Sequence, residues 1–518
     1  MKYLIIPLVC IFSITTLSAQ SLYDALQFST IESASTARMA GIGGGMSALG
    51  GEFSVINVNP AGLAIYRSSE FSLTPSLNFK KSEGLLASGR ENEENDVFGR
   101  NKTAFSFSNL GVVLNSKPRG KWKTSNLAIG YNRIADFKES FFFSGQSAGS
   151  MADQFLELAT GDNGLGIPAG ELDDFLAGPA FDASAIGQFL DEEDNLRYFN
   201  DFVDFPNAII ERELSIERLG SISELSISFA GNLRNKLLLG GSLGVPLLNF
   251  IQVREYEEFD IGPDGGTVNG GNVDFFESLR FTDTLSTEGV GINAKFGMIY
   301  WPTAKIRVGA AIHTPTFYTL TDFYDTTVEY TVTEFNSEIN EEETTSRLGL
   351  PFETRFIDYG FRTPWRYIGS AGLIIPGLGL LSAEVEYVDY SGSKYNLNKE
   401  GNSSFDVERG EKVNDEINTR LTSAVNVRVG AEYMIKRFLV RAGYNWLGAN
   451  QTSTNDRRSR ISLGTGYRAN QFYLDLAYVR GSNQSSYTPY TLEQRNAEQR
   501  VARNLTTNKV LFTFGYRF

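Results

Sequence analysis

Cysteine and histidine are almost missing from this chain: among 518 residues, Cys10 is the only thiol and His313 the only imidazole. A disulfide framework, a thiolate metal site and a cysteine nucleophile are therefore excluded from everything after Cys10, and most zinc sites with them. Basic surplus is missing too. Lys plus Arg number 47 against 61 Asp plus Glu, a formal net charge of -14, so nucleic acid is not an expected partner. Beyond the first twenty residues no apolar run reaches the roughly 20 residues that a helix needs to cross a bilayer. A helical membrane protein is excluded.

What is present starts with "MKYLIIPLVCIFSITTLSAQ": a charge at Lys2, an apolar run from Tyr3 to Leu17, and the small Ala19 at a cleavage point. That pattern predicts a secretory signal peptide over residues 1–19. Cys10 lies inside the apolar run, too early for a lipidation site.

Residues Gly41 to Ala64 read "GIGGGMSALGGEFSVINVNPAGLA". Gly43, Gly45 and Ala48 satisfy a loose G-x-G-x-x-G/A fingerprint, but a dinucleotide loop follows a buried apolar strand, and the polar "IESASTARMA" precedes this one. The glycines are accordingly read as backbone devices, and no cofactor is expected. The acidic runs Glu91–Asp96, Asp191–Asp194 and Glu341–Glu343 read as solvated loops, and Gly262–Asn272 lacks the carboxylate spacing of a calcium loop. No metal site is expected.

Abundance points elsewhere: 38 Phe, 23 Tyr and 51 Gly. In the terminal "KVLFTFGYRF", Val510, Phe512, Phe514, Tyr516 and Phe518 share one face, with Leu511, Thr513, Gly515 and Arg517 on the other. The same period of two runs through Val425–Tyr433, Phe472–Val479 and Val290–Tyr300. Segments of this kind lie near 70–80, 103–114, 126–138, 223–233, 237–248, 289–300, 305–314, 366–375, 380–390, 423–434, 437–447, 458–468, 471–481 and 507–518. They predict an all-β, antiparallel transmembrane β-barrel of about 14 strands. From the second strand on, short connections such as "RNK" and "PGLG" mostly alternate with long ones over 139–222, 249–288, 315–365, 391–422 and 482–506. Short periplasmic turns and long extracellular loops are the expected topology of a bacterial outer-membrane barrel, with both termini on the periplasmic side. Tyr300, Trp301, Trp365, Tyr367, Tyr444, Trp446 and Tyr516 fall at strand ends, where interfacial aromatic girdles belong.

About 50 residues separate the cleavage point from the first strand, more than a simple porin needs. A barrel this wide is either a water channel or plugged, and the Gly-, Ala- and Ser-rich stretch suits a plug. "SLYDALQFSTIESASTARMAGIGGGMSALGGEFSVINVNPAGLAIY" resembles the N-terminal hatch of FadL-type outer-membrane transporters of long-chain fatty acids and aromatic hydrocarbons. The Ser/Ala/Arg/Met approach, the Gly-rich turn and Asn59-Pro60-Ala61 carry the likeness, and the terminal aromatic strand extends it. The resemblance implies a signal peptide (1–19), a hatch (20–69) and a barrel (70–518), with Gly43, Gly44, Gly45, Asn59, Pro60 and Ala61 at the gate. It also implies passive, non-enzymatic uptake of a hydrophobic small molecule and an inward kink of the third strand that lets ligand leave sideways.

In that strand Leu127, Ile129 and Tyr131 face lipid by parity, and Arg133 is next in phase. A bulge near Asn132 would re-aim its charge; alternatively Arg133 lies at the membrane interface. In the long loop, Phe155, Phe175, Phe189 and Phe202 recur at near-helical spacings, either as a hydrophobic landing groove or as packing that caps the barrel. His313 is expected in the lumen as a hydrogen-bonding residue, since no flanking signature supports hydrolysis and one histidine lends little to haem binding. Expected partners are outer-membrane lipid and the barrel insertion machinery, through Phe518, with the protein a monomer. Two other functions stay open: a barrel in a secretion or surface-attachment system of type IX kind that holds exported proteins, and a polar-solute porin, which leaves the hatch unexplained.

Overall fold

The structure, a computed structural model, describes residues 20–518 except 33, 88–94, 162, 204–207, 261–275, 337–340, 453–457 and 493–498. The signal peptide, Cys10, most of the Glu91–Asp96 run and Gly262–Asn272 lie outside the described residues. No described helix is long and apolar enough to cross a membrane; the crossing is made by strands.

Fourteen antiparallel strands close into a barrel. In chain order they are β1 (Glu70–Leu86), β2 (Phe98–Ser116), β3 (Trp122–Asp136, resuming as Glu139–Ala148), β4 (Ile209–Leu233), β5 (Leu237–Phe259), β6 (Phe276–Tyr300) and β7 (Ile306–His313, resuming as Phe317–Asn336). There follow β8 (Arg355–Arg362, resuming as Arg366–Ile375), β9 (Gly379–Asp389), β10 (Ser423–Ile435), β11 (Phe438–Leu447), β12 (Arg458–Arg468), β13 (Phe472–Tyr487) and β14 (Val501–Arg517). Closure is made where β14 pairs with β1, as in Leu73↔Phe514 and Leu77↔Val510. The ring closes strand to strand, as an outer-membrane wall requires because lipid satisfies no backbone polar group, with the β2–β3 ladder ending at Asn109↔Asn132.

The period of two explains the wall. Ile227, Leu243 and Ile292 are each more than half exposed on the outer face, while Ser226, Ser228, Ser242 and Asn293 of the same strands are buried toward the lumen. The outer side chains form the apolar band, bordered on the periplasmic side by Trp122, Tyr300, Phe438 and Tyr516 and on the outer side by Trp365, Tyr367, Tyr387 and Trp446, all exposed. From Phe438 to Trp446 the strand rises roughly 27 Å, which after a tilt of about 40° is of the order of the 25 Å band of such barrels. The periplasmic turns are tight. In "RNK", the three residues between the paired Leu233 and Leu237, Arg234 and Asn235 both have φ 55° and the Lys236 N–H donates to the Leu233 carbonyl at 3.1 Å.

Strands run well past the expected ends. β4 and β6 each have 25 residues and β5 has 23, so much of the stretches expected as loops over 139–222 and 249–288 is sheet standing above the membrane. In Ile209–Leu219, Ile210, Arg212, Leu214 and Ile216 are buried, while Glu211, Glu213 and Glu217 alternate with them on the other face. The period is intact, but its outer face has turned from apolar to charged because water has replaced lipid. Within 149–203 the helices are short, α3 (Ala152–Leu158) and α4 (Ala177–Asp182), and Phe189 and Phe199 lie in a hairpin of Gly187–Leu190 and Leu196–Phe199 rather than on a helix. Between β9 and β10, α5 (Ser404–Arg420) starts on a capping box of Ser403 and Asp406.

Candidate functional site

The N-terminal segment lies inside the lumen. Its first helix, α1 (Leu22–Ser29), begins where the Ser21 hydroxyl accepts the Asp24 N–H at 3.1 Å, a cap that removes one orphan donor. Leu22, Ala25 and Phe28 share its buried face. The Phe28 ring meets Phe137, Phe250 and Phe361 at 5.9, 5.7 and 6.3 Å, so the helix is seated in the upper lumen by aromatic packing. Arg366 fixes its end by donating to the Ser29 carbonyl.

Below it, α2 (Ala37–Gly41) runs into the glycine turn. Gly43 and Gly44 have φ 75° and 80°, a region that side chains rarely adopt; Gly45 does not share that conformation. The chain then makes two 3₁₀ turns, Phe53–Asn57 and Pro60–Ile65. Asn59 caps the second. Its Oδ1 accepts the Ala61 N–H at 3.2 Å, and its Nδ2 donates to the Met298 carbonyl at 3.2 Å. Pro60, at the first helical position, has no N–H to leave unsatisfied. Asn59-Pro60-Ala61 is thus a capped turn tied to β6. His313 stands beside it in the lumen, donating through Nε2 to the Val58 carbonyl at 2.8 Å.

Sockets in the wall receive this segment. A methyl group at Gly297 would overlap the Asn59 amide, and one at Gly111 or Gly130 would overlap the Phe53 ring. Polar ties complete the seat. Arg38 pairs with Glu432 at 3.0 Å, Glu432 with Arg441 at 2.6 Å, and Arg441 with Asp475 at 2.8 Å. Ser47 donates to Glu384, the Ala37 N–H reaches Thr513 Oγ1 at 2.8 Å, and Ser35 donates to Asn132 Oδ1 at 2.7 Å. Of these wall partners only Asn132 was marked in the sequence, and for the strand kink rather than as a seat; for the rest the available signal was small or charged residues at inward positions of strands with apolar outer faces.

Above and beside the plug lies a cavity of about 930 Å³. Leu22, Leu26, Phe137, Leu447 and Leu511 line part of it, and Lys80, Arg218, Arg460, Arg503 and Lys509 another. The plug residue Glu32 pairs with Lys509 at 2.9 Å and Arg460 at 3.5 Å. Burial opposes its ionisation, but Lys509, Arg460 and Lys80 together hold its carboxyl down to about 2. Glu139 pairs with Arg503. Over the whole lining eight Asp and Glu stand against twelve Lys and Arg, a local excess of positive charge.

Next to the cavity the main-chain ladder stops. β2 and β3 pair from Ser116↔Ser125 up to Asn109↔Asn132, and above that β2 pairs only with β1 among the described residues. The register of β3 against β4 shifts between Arg133 and Ala135. The resumed part of β3 then leans behind β1, where Ser82 donates to Glu139 at 3.1 Å and a methyl at Gly84 would lie 2.7 Å from the Phe142 carbonyl oxygen. Side chains hold this part of the wall: Lys102 pairs with Glu217 at 2.7 Å, and Phe142 packs on Phe98 at 5.5 Å. Asn132 is fully buried and also accepts from Asn109 at 2.9 Å. The Arg133 guanidinium turns to Asp136, 3.8 Å away, and to the Tyr131 hydroxyl at 3.3 Å.

The four loop phenylalanines do not converge. Phe155 and Phe202 are fully buried beneath the cap, Phe175 is buried near α1, and Phe189 is 48% exposed at the surface. Among the described residues three are packed and one is exposed.

No family model matches the chain, and no curated protein does. Solved structures do. A FadL homologue of Pseudomonas aeruginosa superposes with a TM-score of 0.52 at 13% identity, over 95% of this chain and 99% of that one. The Pseudomonas putida toluene transporter TodX gives 0.48 at 11% identity over 95% and 100%. With its apolar outer band, closed ring of fourteen strands and N-terminal segment in the lumen, this chain is an outer-membrane β-barrel of the FadL-type fold.

Proposed function

We propose that the protein is a passive outer-membrane transporter of hydrophobic compounds, long-chain fatty acids first among them, gated by its N-terminal segment. The observation that carries the reading is the juxtaposition of plug, 930 Å³ cavity and interrupted β2–β3 ladder. A pocket with both apolar walls and a cationic rim suits a long-chain carboxylate better than an uncharged hydrocarbon, since the chain leaves water while the head keeps charge partners. In this reading residues 1–19 are removed on export, residues 20–69 form the gate and residues 70–518 the wall. Gly43, Gly44 and Gly45 lend the turn its freedom, Asn59, Pro60 and Ala61 fix its base, and the break at Asn132 and Arg133 is the sideways exit into lipid. Phe155, Phe175 and Phe202 cap the entrance, and Phe189 offers first contact. The mature chain works as a monomer, inserted by the barrel machinery through Phe518, and no catalytic step is involved.

A second reading has one observation in its favour. Leu348, Leu350, Phe352 and Phe356 are 54 to 90% exposed at the end of the strand Glu341–Gly349 that pairs with β7, in the turn after it and at the start of β8, above the apolar band, where lipid does not cover them. An exposed apolar patch in water suits a protein partner, as a secretion or attachment barrel needs. Uptake of labelled oleate by cells with and without the gene separates the two. Dependence of uptake on the gene supports transport; unchanged uptake with loss of surface-held proteins supports attachment.

A further inference from the structure

Glu52 is a buried carboxylate of the plug without a cation of its own. It is 6% exposed, Oε1 accepts from the Thr36 hydroxyl, and Oε2 has no hydrogen bond among the described residues. Its position is a joint. Thr36 is the cap of α2, and Ser54, the second residue after Glu52, accepts the Thr36 N–H at 2.9 Å and shares a 2.9 Å hydrogen bond with Ser35. One carboxylate therefore sits where the α2 half of the plug meets the 3₁₀ half.

The surroundings do not favour an ion there. Arg38 of α2 is committed to Glu432 at 3.0 Å and to the Gly51 carbonyl at 3.2 Å. Facing from β1 is a second acid, Glu70, which accepts from Tyr66 at 3.2 Å and from Tyr473 of β13 at 2.8 Å, and pairs with Arg517 of β14 at 3.1 Å. Glu32, a half-buried acid of the same segment, has two cations in reach. A buried charge lacking such a partner takes up a proton instead.

We propose that Glu52 is a protonation-controlled catch of the plug: neutral, it holds the α2 cap to the following turn; ionised, it loosens that joint and lets the segment move. This rests on the gating role given to the segment above and names its regulation. Burial pushes the Glu52 carboxyl up to about 7; the Thr36 hydroxyl, the Ser54 backbone and Arg38 pull it down, and Glu70 pushes it up. An exposed glutamate titrates near 4.3. A proton is thus held by the seated plug that the released plug would give up, so the catch is fully set below about pH 4, weakens as pH rises toward 7 and is lost above it.

Hydrogen exchange of residues 34–66 in the full-length mature barrel tests this, comparing wild type with Glu52→Gln at one pH at a time so that intrinsic exchange rates cancel. The two should exchange alike at about pH 4, below the pKa of the exposed carboxyl. At pH 8.5 wild type should exchange faster by about tenfold, the equivalent of one pKa unit of coupling. Equal rates at pH 8.5 overturn the proposal. Should Glu52→Gln not yield folded protein, wild type alone decides: protection corrected for intrinsic rates falls between about pH 4 and 8.5 if the catch exists, and stays constant if it does not. A failure of oleate uptake would leave this exchange result standing, so the two readings fail separately.

Discussion

At the scale of single residues, the seat of the plug depends on what the wall omits. Gly297→Ala drives a methyl group into the Asn59 amide, an overpacked contact expected to cost about 1–3 kcal/mol. Gly369→Ala is the control, because a methyl there meets nothing within 4 Å. Thermal unfolding in detergent should show a lower midpoint for the first and no shift for the second; equal midpoints would mean that Gly297 is not a socket. Asn59→Ala removes a cap and a bridge to Met298 together, and should cost about 1 kcal/mol with faster exchange confined to residues 53–66. Asn59-Pro60-Ala61 was marked through its resemblance to a family motif, and the capped turn it makes came from the structure. Glu52 was not marked. Its chemistry arises from Glu70, Tyr473 and Arg38, which come from other parts of the chain.

At the scale of elements, strands were legible wherever one face had to meet lipid, as in Val290–Tyr300 or the terminal "KVLFTFGYRF". Above the membrane the same strands continue with Glu211, Glu213 and Glu217 outside, and a search for apolar faces reads them as loop. The packing of Phe155 and Phe202 was beyond local reasoning too, because near-helical spacing says which residues share a side but not what covers it. The interruption of the β2–β3 ladder bears most directly on transport. Asn109 and Asn132 form its last rung, and the chain after Cys10 has no cysteine, so the pair Asn109→Cys with Asn132→Cys staples it cleanly. If ligand leaves sideways here, the oxidised double variant should take up oleate at least about tenfold more slowly than either single variant, a barrier change of about 1.4 kcal/mol or more, and reductant should restore it. Uptake indifferent to the staple would put the exit elsewhere.

At the scale of the whole molecule, a ring of fourteen strands is too wide for its wall side chains to close it, and the N-terminal segment is seated within it by aromatic contacts, glycine sockets and chained ion pairs from Arg38 to Asp475; on the proposed reading it closes the pore. Removing residues 20–66 from the mature chain should therefore turn a quiet barrel into a steady ion-conducting pore in planar bilayers. A deletion variant that inserts but stays quiet would show that something other than the plug closes the lumen. The central claim is that this segment must move for ligand to pass, and locking it tests that most directly. Ala37 of the plug and Thr513 of β14 touch through a 2.8 Å hydrogen bond, which places a cysteine pair within reach of a crosslink. In cells carrying Ala37→Cys with Thr513→Cys, the account predicts that oleate uptake stops on oxidation and returns on reduction; uptake that continues through the locked barrel would contradict it.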